Sequence, residues 1–120
     1  MTESAKPTLE SLRDALRAFA DARDWNQFHS PKNLAMALCG EAGELLEIFQ
    51  WLTEEQSRRL DAQAKSAASE EMADVLLYLI RLADKLDVDL LDAARRKLAK
   101  NAQKYPVDKA RGHARKYTDL

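Results

Sequence analysis

Apolar positions recur at helical spacing along most of this chain. Leu9, Leu12, Leu16 and Phe19 stand at i, i+3, i+7 and i+10, one stripe of a helix. Thr8 is a good cap and Pro7 precedes it, so the first helix is predicted from Thr8 or Leu9 to about Ala22. The second helix has the clearest start. Ser30 is a favoured N-cap and Pro31 a favoured first helical residue. Leu34, Met36, Leu38, Leu45, Ile48 and Leu52 carry it to about residue 52. Thr53 and Gln56 fit a capping box, which predicts a short helix within Thr53–Ser69. Met72, Val75, Leu76, Leu79, Leu82 and Leu86 predict a third long helix over roughly 66–86. Asp89 can cap a fourth that ends before Pro106. Four helices with short links predict an all-α, four-helix bundle-like domain, with a helical core over 8–105 and a basic tail over 106–120.

Composition agrees and narrows the class. Ala (20) and Leu (18) dominate, while Val (3) and Ile (2) are too few to build a sheet. With three Gly and three Pro, tight turns are rare, which excludes sandwiches, barrels and Rossmann-type folds. At 120 residues one domain is expected, and the leucines are numerous for one small bundle, so a homo-oligomer is expected too. The single Cys39 cannot form an intrachain disulfide, and its apolar surroundings predict a buried thiol. No uncharged run is long enough to span a membrane. The polar, acidic start MTESAKPTLE does not read as a signal peptide. A reduced, cytoplasmic protein is expected.

Charge is unevenly spread. Residues 1–93 carry 10 Lys/Arg against 18 Asp/Glu, net −8; residues 94–120 carry 9 against 2, net +7. An acidic body with a basic end is unlike a nucleic-acid binder, whose positive charge forms a broad footprint. A cation site beside an anion clamp has this distribution, and so does an ordinary charged surface.

Two clusters do not suit a bland bundle. Glu41, Glu44 and Glu47 stand at i, i+3 and i+6 on the second helix, where like charges oppose one another. Gly40 and Gly43 interrupt the same segment, each costing up to about 1 kcal/mol relative to Ala. A helix optimised for stability alone would use neither. The glycines permit close approach of a helix or ligand, and a cation would relieve the carboxylates. On the third helix Glu71, Asp74 and Tyr78 share a face near the core edge. Packed side by side, the helices would join two E-x-x-[ED] pairs into an oxygen-only donor set suited to Mg²⁺ or Mn²⁺. The alternative is a pair of solvated charged faces. A di-iron bundle wants Glu-x-x-His on two helices, and the only histidines, His29 and His113, are not so placed. Phosphate-binding glycine loops and a Ser or Cys nucleophile with its His are also missing.

Glu41-x-x-Glu44, then 26 residues, then Glu71-x-x-Asp74 resembles the signature of the all-α nucleoside triphosphate pyrophosphohydrolases, the MazG-like superfamily. Asp24-Trp25-Asn26-Gln27-Phe28-His29, Gly40-Glu41-Ala42-Gly43-Glu44-Leu45, Phe49-Gln50-Trp51, Asp74-Val75-Leu76-x-Tyr78-Leu79, Asn101-x-x-x-Tyr105-Pro106 and Lys116-Tyr117-Thr118 are similar to its dCTP pyrophosphatase branch. The resemblance covers about residues 9–119.

The resemblance implies cleavage between the α and β phosphates of dCTP or a modified dCTP, giving a monophosphate and pyrophosphate, in nucleotide pool sanitation. It implies Mg²⁺ on Glu41, Glu44, Glu71 and Asp74, with Glu41, or else Glu47, as base toward water. It implies base recognition by Trp25, Trp51 and Tyr78, and phosphate or sugar contacts from Lys97 and Asn101. Arg111, Arg115 and Lys116 could close over the triphosphate. A homotetramer is implied as well. The chain departs from the pattern at Leu16, where a relative carries a base-contacting histidine nine residues before its tryptophan, and His29 does not obviously replace it. The competing readings are a non-catalytic oligomerisation module of the same fold, and an enzyme of dUTP or broad NTP specificity.

Overall fold

A computed structural model of the chain describes residues 6–120, so the first five residues of the polar MTESAKPTLE segment lie outside it. Every regular element among the described residues is helical. Four long helices form where they are expected: α1 Leu9–Ala22, α2 Pro31–Phe49, α4 Ala62–Lys85 and α5 Leu90–Lys104. One-turn helices α3 Glu54–Ser57 and α6 Val107–Ala110 lie between and after them. Contacts divide the chain into two compact units, one ending at Asp87 and one spanning Val88–Leu120.

Side-chain caps set the helix starts. Thr8 Oγ1 accepts from the Ser11 N–H at 3.0 Å, while Ser11 Oγ accepts from the Thr8 N–H at 2.8 Å. Ser30 Oγ accepts from Asn33 N–H, and Pro31 supplies the pre-set φ of a first helical residue. The capping box at Thr53 and Gln56 forms as expected. It also ends α2 earlier than expected, at Phe49 rather than near 52, because Thr53 must be extended to cap α3. α4 starts four residues before the expected position. Asp61 Oδ1 accepts from Ala64 N–H at 2.8 Å, and the first turn holds no large apolar residue to signal it.

In the first unit α2 and α1 both pack on α4. Leu34, Ala20, Ala68, Ile80 and Ala83 are buried. Arg17 of α1 clamps Asp84 of α4 with Nε and Nη2 at 2.8 and 2.5 Å. Asp24 turns the chain after α1 with φ +55°, a conformation Asp tolerates better than most residues. Cys39 is exposed rather than buried. α2 is apolar around much of its circumference, and the chain's own helices cover only part of it; Met36 and Leu46 stay exposed too.

In the second unit the basic tail is ordered against α5. The Tyr117 ring stands edge-on to Tyr105 at 5.9 Å, and Lys104 Nζ lies 4.7 Å from the Tyr117 ring centre.

Loss of the α4 cap tests how this helix is fixed. Asp61→Ala should lower stability by about 1 kcal/mol in denaturant unfolding, while Asp61→Asn should be nearly neutral. Equal stability of Asp61→Ala and the parent would show the cap to be idle.

Candidate functional site

Packing of α2 on α4 brings carboxylates from two distant segments together. Glu41 and Glu44, one turn apart on α2, meet Glu71 of α4, with one carboxylate oxygen of each within 4.8 Å of the others. Asp74 stands one turn beyond Glu71 and outside that closest trio. It is near enough for its charge to act on both Glu41 and Glu71.

Two oxygens of the trio are orphaned. Glu41 Oε2 and Glu71 Oε2 are shut off from water and have no hydrogen-bond partner among the described residues. An ionised carboxylate in that condition is strongly disfavoured. The Glu41 carboxyl is accordingly pushed up to about 7, first by hydrogen bonding with Glu44, then by burial, then by the charges of Glu44 and Asp74. Glu71 is raised as well, chiefly by burial and then by hydrogen bonding with Glu44. Among the described residues no cationic side chain pairs with these oxygens. The donor set is all oxygen and anionic, so the trio could bind a divalent metal ion.

The glycines of α2 do not serve a contact with another helix of the described chain. A Cβ built on Gly40 or Gly43 would meet nothing within 4 Å. The expected close approach is not made by this chain's own helices, because α2 meets α4 through other positions.

A cavity of about 460 Å³ adjoins the acidic cluster, within the usual range of about 300–1,000 Å³ for small-molecule sites. Asp74 lines it, so the cavity reaches the edge of the carboxylates. Trp25 and Tyr78 also line it, with Leu16 in the same wall. Trp25 is held edge-on by Phe19 at 5.6 Å and by His29 at 6.2 Å. Trp51 lies outside this cavity and is 86 % exposed. Lys97 and Asn101 stand one turn apart on α5; Lys97 is exposed and Asn101 half-buried. Arg111 caps the end of α6, and Arg115 follows in the exposed tail.

Of the cavity wall, sequence reasoning set His29 aside and passed over Arg81. Arg81 is 4 % exposed. Its signal was a lone charge within Leu79-Ile80-Arg81-Leu82-Ala83, where helical periodicity places it between apolar neighbours.

The fold and this site define an all-α protein with clustered carboxylates across two packed helices and an aromatic-walled cavity beside them. Residues 36–120 match the MazG-like family, and the chain belongs to it. The dCTP pyrophosphatase 1 of Mus musculus is 49% identical over 119 residues, which cover 98% of this chain and 70% of the mouse protein. Its Homo sapiens counterpart is 45% identical over the same share of both chains. A crystal structure of a pyrophosphatase from Archaeoglobus fulgidus superposes with a TM-score of 0.78 at 40% identity, covering 88% of this chain and 99% of that one. No helix among the described residues is long and apolar enough to cross a membrane.

The raised Glu41 value fixes a pH signature. Its folded value of about 7 lies above the ordinary 4.5, so between these limits the folded protein holds more protons than the unfolded chain. The stability Glu41 contributes is complete below pH 4.5 and lost as pH rises through 7. In a chelating buffer the melting temperature should therefore fall between pH 5 and 8, and Glu41→Gln should flatten that fall. An identical pH dependence in Glu41→Gln would contradict the strained cluster.

Proposed function

We propose that this chain is a divalent-cation-dependent nucleoside triphosphate pyrophosphohydrolase. It cleaves dCTP, or a modified dCTP, to the monophosphate and pyrophosphate, and so removes an unwanted nucleotide from the pool. The observation that carries the reading is the three-carboxylate cluster with its two orphaned oxygens beside an aromatic cavity. The identity of the mammalian dCTP pyrophosphatases to this chain supports the substrate. The family match runs from residue 36 to the end of the tail and the mammalian relatives align over 98% of the chain, which supports reading residues 1–120 as a single domain.

Glu41, Glu44 and Glu71, with Asp74 beside them, are the residues that would hold Mg²⁺, or Mn²⁺ in its place. A bound Mg²⁺ would polarise the phosphoryl group and stabilise the leaving pyrophosphate. Glu41 draws the proton from the attacking water, with Glu47, nearly two turns further along α2, as the alternative base. Trp25 offers its face to the base, and Tyr78 borders the same cavity. Lys97, Asn101, Arg111 and Arg115 supply the positive and polar groups a triphosphate requires besides its cation.

The exposed apolar side chains Met36, Leu46, Trp51 and Met72 support a homo-oligomer, a tetramer by resemblance to the family. Trp51 would then meet the base from a neighbouring copy. The reading needs neither nucleic acid nor membrane, and the setting it implies is cytoplasmic.

A panel of deoxy- and ribonucleoside triphosphates, assayed with Mg²⁺ for released pyrophosphate and monophosphate, tests this function. dCTP or a 5-modified dCTP should be preferred. Preference for dUTP, or none among bases, would establish the rival specificity. Glu44→Gln, Glu71→Gln and Asp74→Asn should each abolish most turnover with the fold retained by circular dichroism. Full activity in any two of them, or an inert parent protein, would establish the non-catalytic module instead.

Stacking gives a separate test. Trp25→Ala should raise KM for dCTP roughly tenfold or more, since a base stacked on an aromatic ring is worth about 1–3 kcal/mol. Cation binding should be unchanged. An unfolded Trp25→Ala protein would mark the tryptophan as packing rather than ligand.

A further inference from the structure

The cavity has one polar wall. His29 and Arg81 line it together with Trp25 and Tyr78. Burying a guanidinium is expensive unless its donors are satisfied. Arg81 Nε donates to His29 Nδ1 at 3.1 Å, and Nη2 donates to Asn26 Oδ1. Nη1 faces Asp84 Oδ2 at 3.6 Å, and Arg17 grips the same carboxylate from α1. Asn26 in turn donates to Asp21 Oδ1 at 2.5 Å. The network ties α1 and the Trp25–Ser30 turn to α4.

This wiring decides the state of the histidine. An arginine Nε carries a hydrogen and can only donate. His29 Nδ1 must therefore accept, and the ring proton sits on Nε2. Burial, then the charges of Arg81 and Lys85, lower the affinity of His29 for a second proton, which keeps the ring neutral at pH 7. Nε2 has no hydrogen-bond partner among the described residues. The ring thus offers the cavity one oriented donor and no acceptor.

A pyrimidine with adjacent acceptors suits such a group. Cytosine presents O2 and N3 as neighbouring acceptors, while thymine and uracil carry a hydrogen on N3 and keep only O2 as an acceptor there. We propose that His29 is a base-binding residue whose Nε2–H donates to the O2/N3 edge of the base, and that Arg81 is the positioning residue that fixes its tautomer and orientation. The proposal rests on the nucleotide reading given above and adds the group that reads the base edge.

The test uses the full chain with Mg²⁺ and two triphosphates. One is dCTP; the other carries difluorotoluene, a pyrimidine-shaped base without strong acceptors. His29→Phe keeps a ring beside Trp25 and removes the N–H. It should weaken dCTP roughly fivefold or more in KM, as expected for one lost hydrogen bond, with kcat nearly unchanged. The inhibition constant of the difluorotoluene nucleotide should stay within about twofold of the parent. His29→Gln, whose amide can donate, should recover part of the loss. Arg81→Lys keeps the charge but loses the planar fork, and should reproduce the dCTP-selective loss.

Equal losses on both nucleotides would overturn the proposal, because a packing role cannot tell them apart. An unchanged KM for dCTP in His29→Phe would overturn it too. If Arg81→Lys does not fold, the His29→Phe comparison decides alone. Calorimetric titration of dCMP separates the proposal from catalysis. A parent protein that binds dCMP with His29-dependent affinity but hydrolyses no triphosphate would overturn the pyrophosphohydrolase reading and support this contact.

Discussion

Mutual repulsion among carboxylates, held in place by the packing of α2 on α4, is the constraint around which this protein is arranged. Glu41, Glu44 and Glu71 approach within 4.8 Å, with Asp74 adding its charge. Folding alone gains nothing from that arrangement. The helices must be fixed by other means, and the structure shows several. Ser30 and Asp61 cap the two helices, Leu34 and Ile80 are buried in the unit's core, and Arg17 bonds α1 to Asp84. A strained polar cluster that persists because its surroundings over-determine it is the usual mark of a functional site.

The helices were largely legible because each carries a local signal. Thr8, Ser30, Thr53 and Asp89 all cap as their positions suggested. Boundaries slipped where a signal was silent. The start of α4 is built from Ala, Gln, Lys and Ser, which carry no apolar period, so Asp61 alone marked it. The carboxylate pairs were legible through spacing, because residues three apart on two neighbouring helices must share faces. Which three would converge most closely was not legible, since that depends on the register of α2 against α4. The burial of Cys39 was misjudged for a related reason. An apolar run shows that a helix has faces to cover, not which of them its own chain covers.

Arg81 was hidden differently. A charge in an apolar stretch is legible as an anomaly, but its partners lie 52 and 55 residues away, on the Trp25–Ser30 turn. His29 was set aside as a stand-in for the base-contacting histidine missing at Leu16, because sequence spacing alone does not bring it to that place. The role proposed for it rests on the donor wired to its other nitrogen, which only the tertiary structure supplies.

One stripe of α4 orders these parts. Glu71, Asp74, Tyr78 and Arg81 stand at i, i+3, i+7 and i+10, a run of about 15 Å along one helix face. Glu71 belongs to the acidic trio, while Tyr78 and Arg81 line the cavity, and Asp74 acts on the first and borders the second. The charged end and the aromatic end are therefore set by a single rigid element rather than by loops. A shift of α4 along its axis would move both ends together and preserve their spacing. A rotation would turn both away from α2 and the Trp25–Ser30 turn at once. The Arg17–Asp84 clamp and the Arg81 network both resist rotation, at the end of the stripe farthest from the repelling carboxylates.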